Sequence, residues 1–218
     1  MKNLLNSRSL FSMVFAIGFS VVASFIPAQS FAAGSSDNVE KVDMEKVLAT
    51  NSDRDKVEGD ANAPVTIVEY ASLSCGHCGD FYVKTLPEIR KKYIETGKAK
   101  LVFREVAGDV WSQAGFMLAR CVPEDRYFSM IDVLFQKQAN WINNRTELER
   151  LAQLAGIDAD GFKACLSNQQ VLDGVQKSTQ GAQSLGVQGT PTFFINGEKY
   201  VGALSADDMS KVIDKHLQ

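Results

Sequence analysis

Apolar positions along this chain change their spacing several times, and each change predicts an element. Residues 9–36 carry no charge, and residues 11–26 form a nearly continuous apolar run. Residues 34–60 are polar and charged, with one short amphipathic piece at 42–48, which reads as a tether over about 33–57. After Pro64, residues 65–70 are rich in β-branched side chains and predict a buried strand. Phe81, Tyr82, Leu86, Ile89 and Tyr93 then recur on one side of a helix, which Pro87 should kink and Gly97 should end. Residues 100–106, with Leu101, Val102 and Phe103 at their heart, predict a second strand. Strand, helix, strand is a βαβ unit whose right-handed crossover makes the two strands parallel.

From about 110 to 186 the period is helical throughout. Thr146 with Glu149 reads as a capping box for a helix carrying Leu148, Leu151 and Leu154. Asp158 can cap the next helix, and residues 171–185 can form a longer one. Residues 192–195, the turn Asn196-Gly197, and Tyr200-Val201 read as a hairpin. Ser205 and Asp208 open a final amphipathic helix through Met209, Val212, Ile213 and Leu217. The order is βαβ, a block of helices, then ββα: one α/β domain over 58–218, interrupted by a helical insert at about 110–186.

Composition narrows the function classes. Of 218 residues 45% are hydrophobic and 22% charged, enough apolar content to offset ordering entropy over most of the chain. The formal charge is −3, but Lys2 and Arg8 sit in residues 1–32 with no acid. The remainder therefore holds 21 basic and 26 acidic residues, a net −5. That acidity argues against a nucleic-acid partner or an anionic-membrane surface. The basic start, the apolar run, Pro27, and the small residues Ser30, Ala32 and Ala33 have the layout of a secretory signal peptide, 1–32, cut after Ala32. An uncleaved membrane anchor is the alternative, since the run approaches the length of a bilayer span. Either way the body is expected outside the cytosol, where cysteines can stay paired.

The candidate chemistry lies in Cys75-Gly76-His77-Cys78, where the first strand ends and the helix begins. A thiolate at a helix N-terminus meets unpaired backbone N–H groups and the positive end of the helix dipole, so Cys75 should ionise early. Cys78, one turn on, faces the interior and is close enough to close a disulfide. His77 can add a donor or a positive charge to the thiolate. Half a zinc site uses the same spacing, but a structural zinc needs four ligands and few remain. The βαβ context favours a redox pair, with no metal and no cofactor. No phosphate loop or serine-nucleophile elbow stands out.

Residues 62–78, together with Gly189-Thr190-Pro191-Thr192-Phe193-Phe194-Ile195-Asn196-Gly197, resemble the DsbA-type thiol–disulfide oxidoreductases of the thioredoxin superfamily. The resemblance covers the body from about Glu58 onward and implies a thioredoxin-like fold with an inserted helical domain. By it, Cys75 matches the attacking cysteine and Cys78 the resolving one. Pro191 matches a proline held cis beside the disulfide, leaving the Thr190 backbone to bind an extended substrate segment; an ordinary turn is the alternative. Glu69 matches a buried acid that passes protons to the resolving thiol, its alternative being a solvent-facing strand residue. Gly76 stands where the best-known members carry proline. Cys121 and Cys165 are expected to pair in an exported protein, which would contribute about 4 kcal/mol on the chain-entropy estimate, or else to be buried free thiols.

The reading that follows is a monomeric periplasmic enzyme that forms disulfides in unfolded exported proteins carrying free thiols. A quinone-linked membrane protein would reoxidise it. A reductase or isomerase on the same scaffold is one rival, and an exported copper-handling protein using Cys75, His77 and Cys78 is another.

Overall fold

The computed structural model describes residues 39–51 and 54–218. The leader expected at 1–32 and the first part of the expected tether lie outside the described residues. No helix among the described residues is long and apolar enough to cross a membrane.

Among the described residues, six strands form one mixed sheet. They are β1 (Glu40–Lys41), β2 (Lys56–Glu58), β3 (Val65–Ala71), β4 (Ala99–Glu105), β5 (Thr192–Ile195) and β6 (Glu198–Val201), in the spatial order β1-β6-β5-β3-β4-β2. β3 runs parallel to β4, from Val65 opposite Ala99 to Ala71 opposite Glu105, and antiparallel to β5. All seven residues of β3 are buried, because both faces of the sheet are covered. Alternation then sorts its side chains. Val65, Ile67 and Ala71 join the main core, while Val68 and Tyr70 join a second core with Val47, Val102, Ala182 and Phe194. Glu69 shares the parity of Ile67 and Ala71, so its carboxyl group is sent into the main core.

The helix after β3 starts as α2 (Gly76–Asp80) and continues through a widened turn, Phe81–Thr85, into α3 (Leu86–Ile89) and a second widened turn, Arg90–Ile94. In these turns Leu86 N–H reaches back to Phe81 O, and Glu95 N–H to Arg90 O. The expected kink at Pro87 is thus taken up as a wider turn just before it, which relieves the missing N–H without breaking the helix. Gly97, at φ 72°, ends it.

Helices fill the chain between β4 and β5. They are α4 (Val110–Cys121), α5 (Tyr127–Gln136), α6 (Gln138–Trp141), α7 (Arg145–Leu154), α8 (Ala159–Leu166) and α9 (Gln169–Ser184). Asp109, Asn144, Asp158 and Asn168 cap four of them. The capping box expected at Thr146 does not form: Asn144 accepts from Glu147 N–H instead, and Thr146 lies inside α7. Asparagine caps at least as well as threonine, and Asn143 at φ 62° turns the chain into it. Phe116, Phe135 and Trp141 are buried, with Trp111 and Phe128 packed at the edge of the core. A Cys121–Cys165 disulfide links α4 to α8, its Cα atoms 6.1 Å apart.

Residues 40–58 are not a free tether. β1 pairs with β6, β2 pairs with β4, and between them α1 (Met44–Ala49) buries Val47. Arg104 on β4 gathers this segment, donating to Val47 O (2.6 Å), Leu48 O (3.2 Å) and both Asp55 oxygens. A buried guanidinium needs such partners, and the chain before β3 supplies them. At the other end, Asn196 and Gly197 have positive φ, as a two-residue hairpin turn requires. The last helix, α10 (Ala206–His216), is capped by Ser205. His216, at the end of that helix, lies 3.4 Å from buried Glu198. Lys41, Lys215 and Tyr200 also hold that carboxylate.

Candidate active site

Sheet register assembles the site. β3 ends at Ala71, the turn 72–74 follows, and Cys75 opens α2 as its cap residue. Because Tyr70 pairs with Thr192, the loop entering β5 arrives beside the loop leaving β3. Thr190 O therefore lies 3.1 Å from Cys75 Sγ, and the Thr190–Pro191 peptide bond is cis.

Both cysteines of the pair are free thiols here, in very different surroundings. Cys75 is half-buried and Cys78 fully buried. Cys75 Sγ accepts from the Cys78 N–H at 3.4 Å. Its pKa is lowered from 9.0 to about 5, chiefly because the Cys78 thiol donates a hydrogen bond to it. Burial opposes this, and donors from Thr190 and the backbones of Cys78 and His77 add to it. The contact from Cys75 Sγ to Thr190 O favours the neutral thiol, and the donors outweigh it. Burial foremost, then the nearby Cys75 and Glu69 charges, push the Cys78 thiol far up. One sulfur is poised as an anion and the other as its proton donor.

Glu69 lies in the main core with no exposure, and neither carboxylate oxygen has a hydrogen-bond partner among the described residues. Burial raises its pKa from 4.5 to about 8. Arg90 is the strongest opposing influence, and the Tyr82 hydroxyl, itself buried without a well-aligned partner, also lowers it. His77 is exposed, and its backbone N–H is among the donors that lower the Cys75 pKa. Among the described residues no group of three or more His, Cys, Asp or Glu side chains is placed to hold a metal ion.

Several polar partners of the site come from the insert, where no motif announces them. Ser112 Oγ accepts from Leu73 N–H (3.0 Å) and shares a hydrogen bond with Ser72 Oγ (2.9 Å). Asp109, while capping α4, also accepts a short hydrogen bond from Ser74 Oγ. Gln138 Nε2 donates to Leu73 O and Cys75 O. The one signal that could have pointed to them is Asp109, an acid placed just before the helical pattern that starts at 110.

Comparison with known proteins decides the family. The thioredoxin family profile, described as Thioredoxin, matches residues 51–215. The crystal structure of alpha-DsbA1 from Wolbachia pipientis superposes with a TM-score of 0.70 at 31% identity, covering 76% of this chain and 94% of that one. The chain is a DsbA-like member of the thioredoxin family. A Rickettsia conorii protein, provisionally named a protein-disulfide oxidoreductase, is 33% identical over 178 residues. That match covers 79% of this DsbA-like chain and 64% of the relative, so the chain spans less than two-thirds of the relative's length. A Bacillus anthracis protein, provisionally named disulfide bond formation protein D, is 29% identical over 170 residues, 73% of this chain and 77% of that protein.

Proposed function

We propose that this DsbA-like protein is an exported oxidant of protein thiols, its working form carrying a Cys75–Cys78 disulfide. One observation carries the reading: a reachable sulfur held at a pKa of about 5 beside a buried sulfur pushed far above its usual range. Stabilising the Cys75 thiolate stabilises the reduced enzyme, which makes the disulfide a better oxidant, by about 30 mV for each tenfold in equilibrium constant.

A substrate thiolate attacks Cys75 Sγ, the Cys75–Cys78 bond breaks, and Cys78 leaves. Its strong proton affinity is met by the proton that Glu69 holds at neutral pH. A second substrate thiolate then attacks the substrate sulfur of the mixed disulfide and expels Cys75 as a stable thiolate. Two electrons pass from the substrate dithiol, which becomes a disulfide, to the enzyme, which becomes a dithiol. Thr190, beside Cys75, offers backbone groups to an extended substrate segment.

The N-terminal pattern of residues 1–32 supports export to the periplasm, where substrates with free thiols and a quinone-linked reoxidant would be met. The provisional name of the Bacillus anthracis relative favours disulfide formation over reduction. Copper handling is less favoured, because Cys75, His77 and Cys78 present one exposed, one half-buried and one fully buried group.

Trapping tests the roles. Cys78→Ser should accumulate mixed disulfides with envelope proteins through Cys75, and Cys75→Ser should trap none. Equilibration of the unmodified protein with glutathione buffers should give an oxidising potential. A strongly reducing potential would point to the reductase alternative instead.

A further inference from the structure

We propose that Gln138, at the start of α6 in the helical insert, is a positioning residue that holds the turn carrying Cys75. The proposal rests on the exchange activity above and concerns how the insert serves it.

Gln138 Nε2 donates to Leu73 O at 2.7 Å and to Cys75 O at 2.9 Å. A side-chain amide has two N–H hydrogens, and both carbonyls belong to the turn between β3 and α2, so this donor is fully committed to it. The reversed amide would face its own oxygen to two carbonyl oxygens, which fixes the orientation. Cys75 O is also the first acceptor of α2, taking the Gly79 N–H at 3.1 Å. Gln138 thereby grips the peptide plane from which the first turn of the helix is hung. The N–H groups of His77 and Cys78, which hold the Cys75 sulfur, belong to that turn.

A second observation at the same place concerns Gly79. A Cβ built on it would lie 2.9 Å from Gln138 Oε1, nearer than ordinary packing allows. Glycine inside a helix is less favourable than alanine. Its φ here is not in the left-handed region, so conformation does not require it. The absence of a side chain at 79 is what admits the Gln138 amide to the turn. Gly79 and Gln138 thus form one fitted pair, a helix of the thioredoxin half against a helix of the insert.

The physical consequence is electrostatic. Leu73 O and Cys75 O belong to the turn that carries the Cys75 sulfur, and the Gln138 hydrogens offset their negative ends. Removing those hydrogens, or letting the turn drift, weakens the environment that stabilises the anion.

Gln138→Ala removes the donor, and Gly79→Ala displaces it while leaving Gln138 in place and improving helix propensity. Each is expected to raise the Cys75 pKa by about one unit, a tenfold loss in the thiolate-to-thiol ratio, read from thiolate ultraviolet absorbance against pH. Gln138→Glu, which sets a carboxylate against both carbonyls, should raise it further. A merely structural role would lower the melting temperatures of oxidised and reduced protein equally and leave the titration in place. Unchanged Cys75 titration in Gln138→Ala and in a folded Gly79→Ala overturns the proposal, while a low pKa in the unmodified protein leaves the exchange reading standing. An ordinary thiol pKa in the unmodified protein overturns both.

Discussion

Glu69→Gln isolates the cost of keeping an acid beneath the cysteine pair. The carboxyl group is wholly buried, without a hydrogen-bond partner among the described residues, and its pKa stands at about 8 instead of 4.5. In the unfolded chain it ionises in the usual range, so folding above that range must take up a proton. The sign follows from linkage. A raised folded pKa contributes no penalty below the unfolded value, and a penalty that grows as pH rises toward the folded value and then levels off. At pH 7 the gap corresponds to about 3 kcal/mol at 1.36 kcal/mol per unit. Glutamine is neutral at every pH and is buried much as the protonated acid is, so it escapes this penalty. The variant should match the unmodified protein at about pH 4 and exceed it by about 3 kcal/mol at pH 7. In urea unfolding, with a slope of about 2 kcal/mol/M, the pH 7 midpoint should rise by about 1.5 M. The oxidised protein suits the assay, since burial rather than the Cys75 charge is the largest cause of the shift. Exchange should slow at the same time, because Cys78 loses its proton partner. A stability difference that stays constant between these pH values would refute the reasoning.

Two further outcomes concern the insert and its junction with the sheet. Replacing Cys121 and Cys165 together by alanine should cost about 4 kcal/mol in urea unfolding on the loop-entropy estimate, and thiol labelling of the oxidised, denatured parent should find no free thiol. Two free thiols would remove the bridge. Gly115→Ala drives a Cβ to 2.8 Å from Leu73 Cδ1 and 3.0 Å from Trp141 Cη2; overpacking there should cost about 1–3 kcal/mol, and a variant as stable as the parent would contradict the packing described.

Local signals carried the sequence reading wherever the structure is locally determined. The strand at 65–71 follows from its β-branched run, the hairpin from Asn196-Gly197, and the helix tip at Cys75 from the change of period. Glu69 was named only through the family resemblance, because alternation with Val68 and Tyr70 also fits a solvent-facing position; it is buried because both faces of the sheet are covered. What stayed hidden was the work of long-range polar partners. The segment before β3 looks like a tether because β1 is two residues long and charged, and its fixing group, Arg104, lies 49 residues beyond Asp55 in the chain. Gln138 belongs to no motif, and only the fold brings it 2.9 Å from Cys75 O, 63 residues away. The cap of α7 was misplaced because Thr146 and Asn144 both satisfy the local rule, and the turn at Asn143 selects between them.

The account depends on the charge state of one sulfur, and titrating the reduced protein reads it directly. Thiolate absorbance should rise with a midpoint near pH 5, where Cys75 is placed, and should vanish from that region in Cys75→Ser. Cys78 should stay protonated across the neutral range. A single transition near 9, with nothing below neutrality, would contradict the account.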